Sequence, residues 1–426
     1  VLARSKLELV ELEENLVDLC WTERPAMEVH TATLQPERLA GRTSEDKRRS
    51  IGRELEKQGV DAALIFAPDS MAWLLNIRGR DVPCVPVVLG FGLLFADGRL
   101  QFFTDPAKIP QGFAAHVGAD VEILPESVAS AALDALAGRR VLADPATANA
   151  WCQLRLERAG AELVAADDPV ATPKACKNPA EVEGMRQAHR RDAVAVVRFL
   201  AWLDREVAAG RLLSEGELAD RLHRFRAEDS SFAGPSFDTI SAAAANAAMA
   251  HYNHLNFEAV SRLEEDTVYL VDSGGQYPDG TTDITRTVAI GDPGETVRWH
   301  FTLVLKGHIA LDRAIFPAGT NGTQLDVLAR QFLWQAGLDY DHGTGHGVGA
   351  YLSVHEGPQR ISKVLNGHAL QPGMVVSNEP GYYRDGKYGI RCENLVVVSE
   401  AGEQQANGPQ MLRFEALTLA PFDRRL

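Results

Sequence analysis

The sequence predicts an α+β protein in which a smaller α/β unit precedes a larger mixed unit, and three observations carry that expectation. Between residues 43 and 168, helical and strand-like runs alternate one for one, the pattern of an α/β domain. A long helical stretch from Asn178 to about Ala209 then breaks the alternation. Beyond it, strand-like runs come in groups separated by paired helices.

Residues 1–42 read as an N-terminal segment and linker. The run KLELVELEENLVDL suits a short amphipathic helix or an edge strand, and Trp21 to Gln35 a connection. Thr43 with Asp46 has the pattern of a capping box and predicts a helix through Gln58. VDAALIF follows as a buried strand and SMAWLLN as a short helix, then VPVVLGFGLLFA and RLQFFT as strands split at Asp97-Gly98. A helix over 127–137, strand RRVLAD, a helix over 146–159 and strand AELVAA complete a first domain at 43–170. DDPVATPKACKNPAE marks the boundary, where Asn178 and Pro179 are residue types of an N-cap and a first helical position. The second domain, 171–426, opens on that helix, and Ser214 with Glu217 caps the next, which runs to near Asp229. TISAAAA is a strand, and VYLVDS with TTDITRTVAI reads as an antiparallel hairpin across a Gly/Pro/Asp-rich turn. Helices at about 294–315 and 324–336 precede the strands MVVSNEP and CENLVVVS.

With 426 residues, 45% apolar and 24% charged, the chain can bury two cores. A net charge of −15 argues against a nucleic-acid partner, which needs a basic face, and suits metal cations or cationic peptide termini. The most apolar run, Pro83 to Ala96, is too short and too rich in Pro and Gly to span a bilayer, so no membrane partner is expected. Five dispersed cysteines with no CxxC pair read as free thiols of a reducing, cytoplasmic compartment. Val1 is not an initiator methionine, so the chain reads as part of a longer one.

The chemistry concentrates between His342 and Glu393. Glycines 343, 345, 347 and 349 permit close backbone approach and positive φ, while three histidines lie within fourteen residues. Asp272 and Asp283 flank the expected hairpin, either as turn residues capping backbone N–H groups or as two carboxylates on one face sharing a cation. Glu379 ends MVVSNE, and Glu393 lies among apolar residues, where a carboxylate is costly to bury unless paired or metal-bound. Arg391, two residues earlier, is either an ion-pair partner of Glu393 or an arginine that fixes a ligand carboxylate. Four carboxylates with His346 match the charge of two divalent cations. Such oxygen-rich ligation favours Mn²⁺, with Co²⁺ or Zn²⁺ as alternatives. Two such ions about 3.5 to 4 Å apart acidify a water and polarise a carbonyl, which is hydrolytic chemistry.

HGTGHGVGAYLSVHEGP, VDSGGQYPDGTTDITRT, NEPGYY and GIRCEN together resemble the pita-bread metallopeptidases, the creatinase and methionine aminopeptidase superfamily (peptidase family M24). Within it the chain is most similar to the Xaa-Pro aminopeptidase (aminopeptidase P) family in its large cytosolic form. The resemblance covers nearly the whole chain, from NLVDLCWTERP, similar to a connection between domains, to LRFEALTLAPF, similar to the end of the catalytic domain. It implies a creatinase-N-like first domain and a pita-bread catalytic second domain. It also implies two metal ions held by Asp272, Asp283, His346, Glu379 and Glu393, with Asp283 and Glu393 bridging both. Glu379 is then the general base. His251, otherwise read as a core histidine, and His355 act at the scissile carbonyl and leaving nitrogen. His342, Val354, Tyr383 and Arg391 surround a proline pocket. The implied activity is release of the N-terminal residue from peptides with proline second; prolidase and a non-catalytic peptide-binding member are the alternatives. The large form further implies a homodimer in the full-length protein, with a preceding domain and a C-terminal extension outside this chain. Two positions depart from the family pattern: Asn378 stands where an acidic residue is common, and Cys392 where an aliphatic one is, so tuning around the ligands is expected.

Overall fold

A computed structural model describes residues 10, 12, 14–25, 28–257, 261–402 and 408–426. Part of KLELVELEENLVDL lies outside the described residues; its end begins a short helix, Leu16–Cys20. The first part of the chain builds a six-stranded mixed sheet. Its spatial order is Val121–Leu124, Leu100–Phe103, Phe91–Phe95, Ala62–Ile65, Arg140–Ala143 and Glu162–Ala165. Ala62–Ile65, at its centre, is buried throughout and pairs parallel to Arg140–Ala143, as a strand covered on both faces should. Of VPVVLGFGLLFA only Phe91–Phe95 is a strand, because Pro83 and Pro86 cannot donate to a ladder. The helix expected over 127–137 is a 3₁₀ turn at Glu126–Val128 leading into Ala129–Asp134. The helix Ser44–Lys57 is capped by Thr43, whose Oγ1 accepts from the Asp46 backbone N–H. The reciprocal arm of the box differs, since the short Asp46 carboxylate takes the Thr43 hydroxyl proton instead.

The rest is built on two main antiparallel sheets backed by helices, with smaller two- and three-stranded sheets beside them. Asn178 is the expected N-cap of Pro179–Ala208 and forms a capping box with Glu181, and the expected Ser214–Glu217 box opens Glu215–Ala227. These helices pack Phe199, Leu203 and Leu222 against Tyr269, Val271 and Val288 of a three-stranded sheet ordered Ile240–Ala243, Thr267–Ser273, Ile284–Ile290. Gly294–Asp312 and Gly322–Gln335 cover a six-stranded sheet ordered Ile315–Pro317, Met411–Ala416, Asn394–Glu400, Val375–Asn378, Gly345–Gly347, Glu356–Ile361.

Thr267–Ser273 and Ile284–Ile290 do pair antiparallel, but the connection is not a simple turn. Gly275–Tyr277 and Gly280–Thr281 form their own ladder, joined to Gly234–Pro235 in a separate small sheet. Asp272 is opposite Thr285 in the register, so the two side chains share one face.

Candidate metal centre

The side chains around the centre come from both antiparallel sheets. Within TTDITRT the period-two alternation of a strand puts Thr285 and Thr287 on the Asp272 face, while Ile284 and Val288 pack into the helical side. His346 is on Gly345–Gly347, Glu379 follows Val375–Asn378, and Glu393 immediately precedes Asn394–Glu400. Ligand atoms of Asp283, His346 and Glu393 lie within 4.8 Å of one another. His346 Nε2 is 3.4 Å from Asp283 Oδ2 and 3.3 Å from Glu379 Oε1.

Each group has an orienting partner. Thr285 Oγ1 donates to Glu393 Oε2 at 2.6 Å, and Arg391 Nη2 to Asp272 Oδ2 at 2.6 Å. Arg391 therefore pairs with Asp272 and not with Glu393, and also donates to the Tyr383 hydroxyl at 2.7 Å. Ser377 Oγ accepts from the His346 backbone N–H and donates to Glu379 Oε1 at 2.9 Å. Behind the centre, fully buried Arg330 pairs with Asp326 and donates to the carbonyls of Tyr340 and His342. Asp326 also accepts from Thr344, whose carbonyl takes the Glu379 N–H at 2.8 Å.

Burial and mutual repulsion shape the electrostatics. Burial first, then the charges of Asp272 and Glu379, push Asp283 up to about 7 against its hydrogen bond with His346. Glu393 is raised well above the ordinary carboxylate range by burial and by Asp283, Glu379 and Asp272. For His346, burial pulls down, but the Asp283 hydrogen bond and the Glu379 charge outweigh it and hold the ring at about 9. Asp272 Oδ1 is buried with no hydrogen-bond partner among the described residues. An orphaned carboxylate oxygen beside crowded, mutually repelling acids is the environment that divalent cations compensate, and an oxygen-rich set with one imidazole suits hard or borderline ions.

His251, His342, His355 and Arg391 line the same cavity of about 450 Å³ as the five clustered groups. His251 is exposed to that space and is not a core residue. His342 Nε2 meets the Tyr383 hydroxyl at 2.8 Å, and His355 packs edge-on to His346 with ring centroids 4.3 Å apart. Val354 is buried and is not among the residues lining the cavity. Asn378 is fully buried, donates to the His308 carbonyl and accepts from the His308 ring at 3.0 Å, so a histidine without motif support holds the strand end before Glu379. Cys392 lies in an apolar cluster, where burial raises its thiol to about 12. Sequence reasoning missed Thr285, Ser377, Arg330 and Asp326; for Thr285 the period-two polar positions of an otherwise apolar strand were the available signal.

The four glycines of HGTGHGVG act by close approach and not by left-handed backbone, since none of them has positive φ. A Cβ on Gly345 would lie 1.9 Å from the Ser377 carbonyl oxygen, and one on Gly347 2.4 Å from that of Glu356.

Residues 183–400 match the model of metallopeptidase family M24, and residues 23–181 that of the creatinase/prolidase N-terminal domain. A probable Xaa-Pro aminopeptidase P of Fusarium vanettenii is 43% identical, over 98% of this chain and 70% of that protein. The crystal structure of X-prolyl aminopeptidase from Caenorhabditis elegans, described as a cytosolic enzyme with a di-nuclear active site, is 37% identical. It superposes with a TM-score of 0.91 over 97% of this chain and 68% of that one. An Xaa-Pro dipeptidase of Bacillus anthracis, 24% identical with a TM-score of 0.70 over 89% of this chain and 99% of its own, shares the fold. With both domain models matched in order and relatives of this identity spanning almost its whole length, the chain belongs to metallopeptidase family M24 and carries the creatinase/prolidase-type N-terminal domain.

Proposed function

We propose that the protein hydrolyses the first peptide bond of peptides whose second residue is proline, releasing the N-terminal residue, as an Xaa-Pro aminopeptidase. The observation that carries this reading is the convergence of Asp283, His346 and Glu393 within 4.8 Å in a cavity that Asp272 and Glu379 also line, in a chain similar to named Xaa-Pro aminopeptidases.

Asp272, Asp283, His346, Glu379 and Glu393 would hold two divalent cations, Mn²⁺ ahead of Co²⁺ or Zn²⁺; when bound, these supply an acidified water and the charge that polarises the scissile carbonyl. Glu379, oriented by Ser377, takes the water proton as general base and returns it to the departing nitrogen. Proline's nitrogen has no N–H in the peptide, so it must gain a proton to leave, and His355, which lines the cavity, would act on that side. His251 donates toward the carbonyl oxygen as charge develops there. Asp272 offers its unpartnered Oδ1 near the substrate's free amine, which restricts attack to the first bond. His342, Tyr383 and Arg391, joined by hydrogen bonds, form one wall for the proline ring, while Val354 is buried outside the cavity lining.

A second cavity of about 680 Å³ shares His346, His355 and Arg360 with the first. It leaves room for the chain beyond proline, which a dipeptidase does not need and which favours an aminopeptidase over prolidase. We assign the protein to the cytoplasm and expect homodimers in the full-length form; five free cysteines accord with a reducing compartment. The deciding assay is release of the first residue from Xaa-Pro-Xaa, Xaa-Pro and Xaa-Ala peptides with Mn²⁺, Co²⁺ and Zn²⁺ in turn. Turnover of Xaa-Pro-Xaa sustains the proposal, whereas cleavage of the dipeptide alone turns it to prolidase.

A further inference from the structure

The loop between Gly345–Gly347 and Glu356–Ile361, which ends at His355, is held from both domains: Val348 and Ala350 pack with Val375 and Leu395 of its own sheet and Gln276 donates to the Leu352 carbonyl, while the N-terminal domain holds residues 350–352. The ladder closes where Gly347 is opposite Glu356, after a register shift from His346 opposite Arg360 that leaves residues 357–359 unpaired, so residues 348–355 lie beyond its last pair. Leu352, at the loop's middle, is 1% exposed and belongs to the core cluster of the N-terminal sheet, with Ile77, Val87 and Val88. Beside it, Arg78 is 4% exposed and donates to the carbonyls of Tyr351 and Ala350, and to those of Ala72 and Ile77 in its own domain. Tyr351 is held at φ +53°, a conformation a bulky residue adopts only when its surroundings impose it. Just past His355, the side chain of Glu356 is fully buried between Lys174 and Lys177, and Lys174 reaches Asp69 of the N-terminal domain at 2.7 Å.

We infer that the N-terminal domain is a working part of the active site, in which Arg78 and the apolar seat of Leu352 position the loop that presents His355 to the leaving group. Arg78 touches neither substrate nor metal ligand. It is a positioning residue, and its effect passes through Tyr351 and Leu352. The physical reason is geometric. Between its paired ends the loop has no ladder to fix its path, and a buried guanidinium with a fan of donors to two carbonyl pairs restricts that path. This inference rests on the role given above to His355.

The test is a double-mutant cycle on the full chain loaded with Mn²⁺: Arg78→Met, His355→Ala and the pair, with kcat, KM on an Xaa-Pro-Xaa peptide and metal content measured together. His355→Ala is expected to lower kcat. Arg78→Met is expected to lower kcat by about 10- to 100-fold with KM changed far less and metal content retained, since misplacing a reacting group acts on the chemical step. In the His355→Ala background the same change is expected to lower kcat by no more than about twofold, because the two act as a unit. A multiplicative loss in the pair, or wild-type kcat in Arg78→Met, overturns the inference and leaves His355 its role. Wild-type kcat in His355→Ala overturns the role of His355 itself, and the inference with it. Should Arg78→Met not fold, Leu352→Ala replaces it in the same cycle under the same criteria.

Discussion

Arg391 and Asp272 divide the two oxygens of one carboxylate: Arg391 Nη2 holds Oδ2 at 2.6 Å, and Oδ1 is buried with no partner. The arginine is itself fixed by Tyr383 and by Thr285, which also donates to Glu393. One guanidinium thus orients groups on both sheets and leaves a single oxygen for a ligand.

Arg391→Lys keeps the charge and loses the planar fork. Affinity for the ion that Asp272 would hold is expected to fall by about 10- to 100-fold, the range for a partner that orients a ligand. Elemental analysis across a Mn²⁺ titration reads it directly; unchanged stoichiometry at limiting metal would refute the orienting role.

Substitutions at Asp283 and Glu379 would separate the proposed metal binding from the proposed proton transfer. Asp283→Asn is expected to lose both metal and turnover. Glu379→Gln is expected to lower kcat by about 10²- to 10⁴-fold, the range for losing a general base. Metal content and turnover are measured on the same preparations, and full activity in metal-stripped protein would sink the mechanism.

Gly345 and Gly343 make a matched control. A Cβ at Gly345 would strike the Ser377 carbonyl at 1.9 Å, whereas at Gly343 the nearest atom is 3.5 Å away. Gly345→Ala is therefore expected to fail to fold or to lose metal by displacing Val375–Asn378 from beside His346. Gly343→Ala is expected to retain both its melting temperature and its metal, and equal behaviour of the two variants would contradict the close-approach account.

Lys47 supplies a pH dependence remote from the metal centre. Burial, against the attraction of Glu181, pulls its ammonium down to about 7, where Nζ meets Asn76 Oδ1 at 2.6 Å and the Trp73 carbonyl at 3.0 Å. Between that value and the unfolded value of about 10.4, the unfolded chain carries a proton the folded chain lacks, so stability rises with pH. The slope from this group reaches about 1.4 kcal/mol per pH unit and vanishes below the folded value. Denaturant melts at about pH 6, 7.5 and 9 on wild type and Lys47→Met check it. The variant should lack the rise, and identical slopes would rule out Lys47 as its source.

The sequence by itself determined the family, the two-part fold class and the stretches from which the clustered side chains come. These are local properties: capping residues at Asn178 and Ser214, period-two strands, and carboxylates or histidines set among glycines and apolar runs. The tertiary structure alone decided the partners. Arg391 was legible as a charge near Glu393, yet it pairs with Asp272, 119 residues away in the chain, because the strands meet across the gap between two sheets. Nor does sequence spacing reveal that Leu352, three residues before His355, belongs to the core of the other domain. Packing and hydrogen bonding act through space, so residue types foretell what chemistry gathers at a site, and only the fold settles which neighbour orients each group.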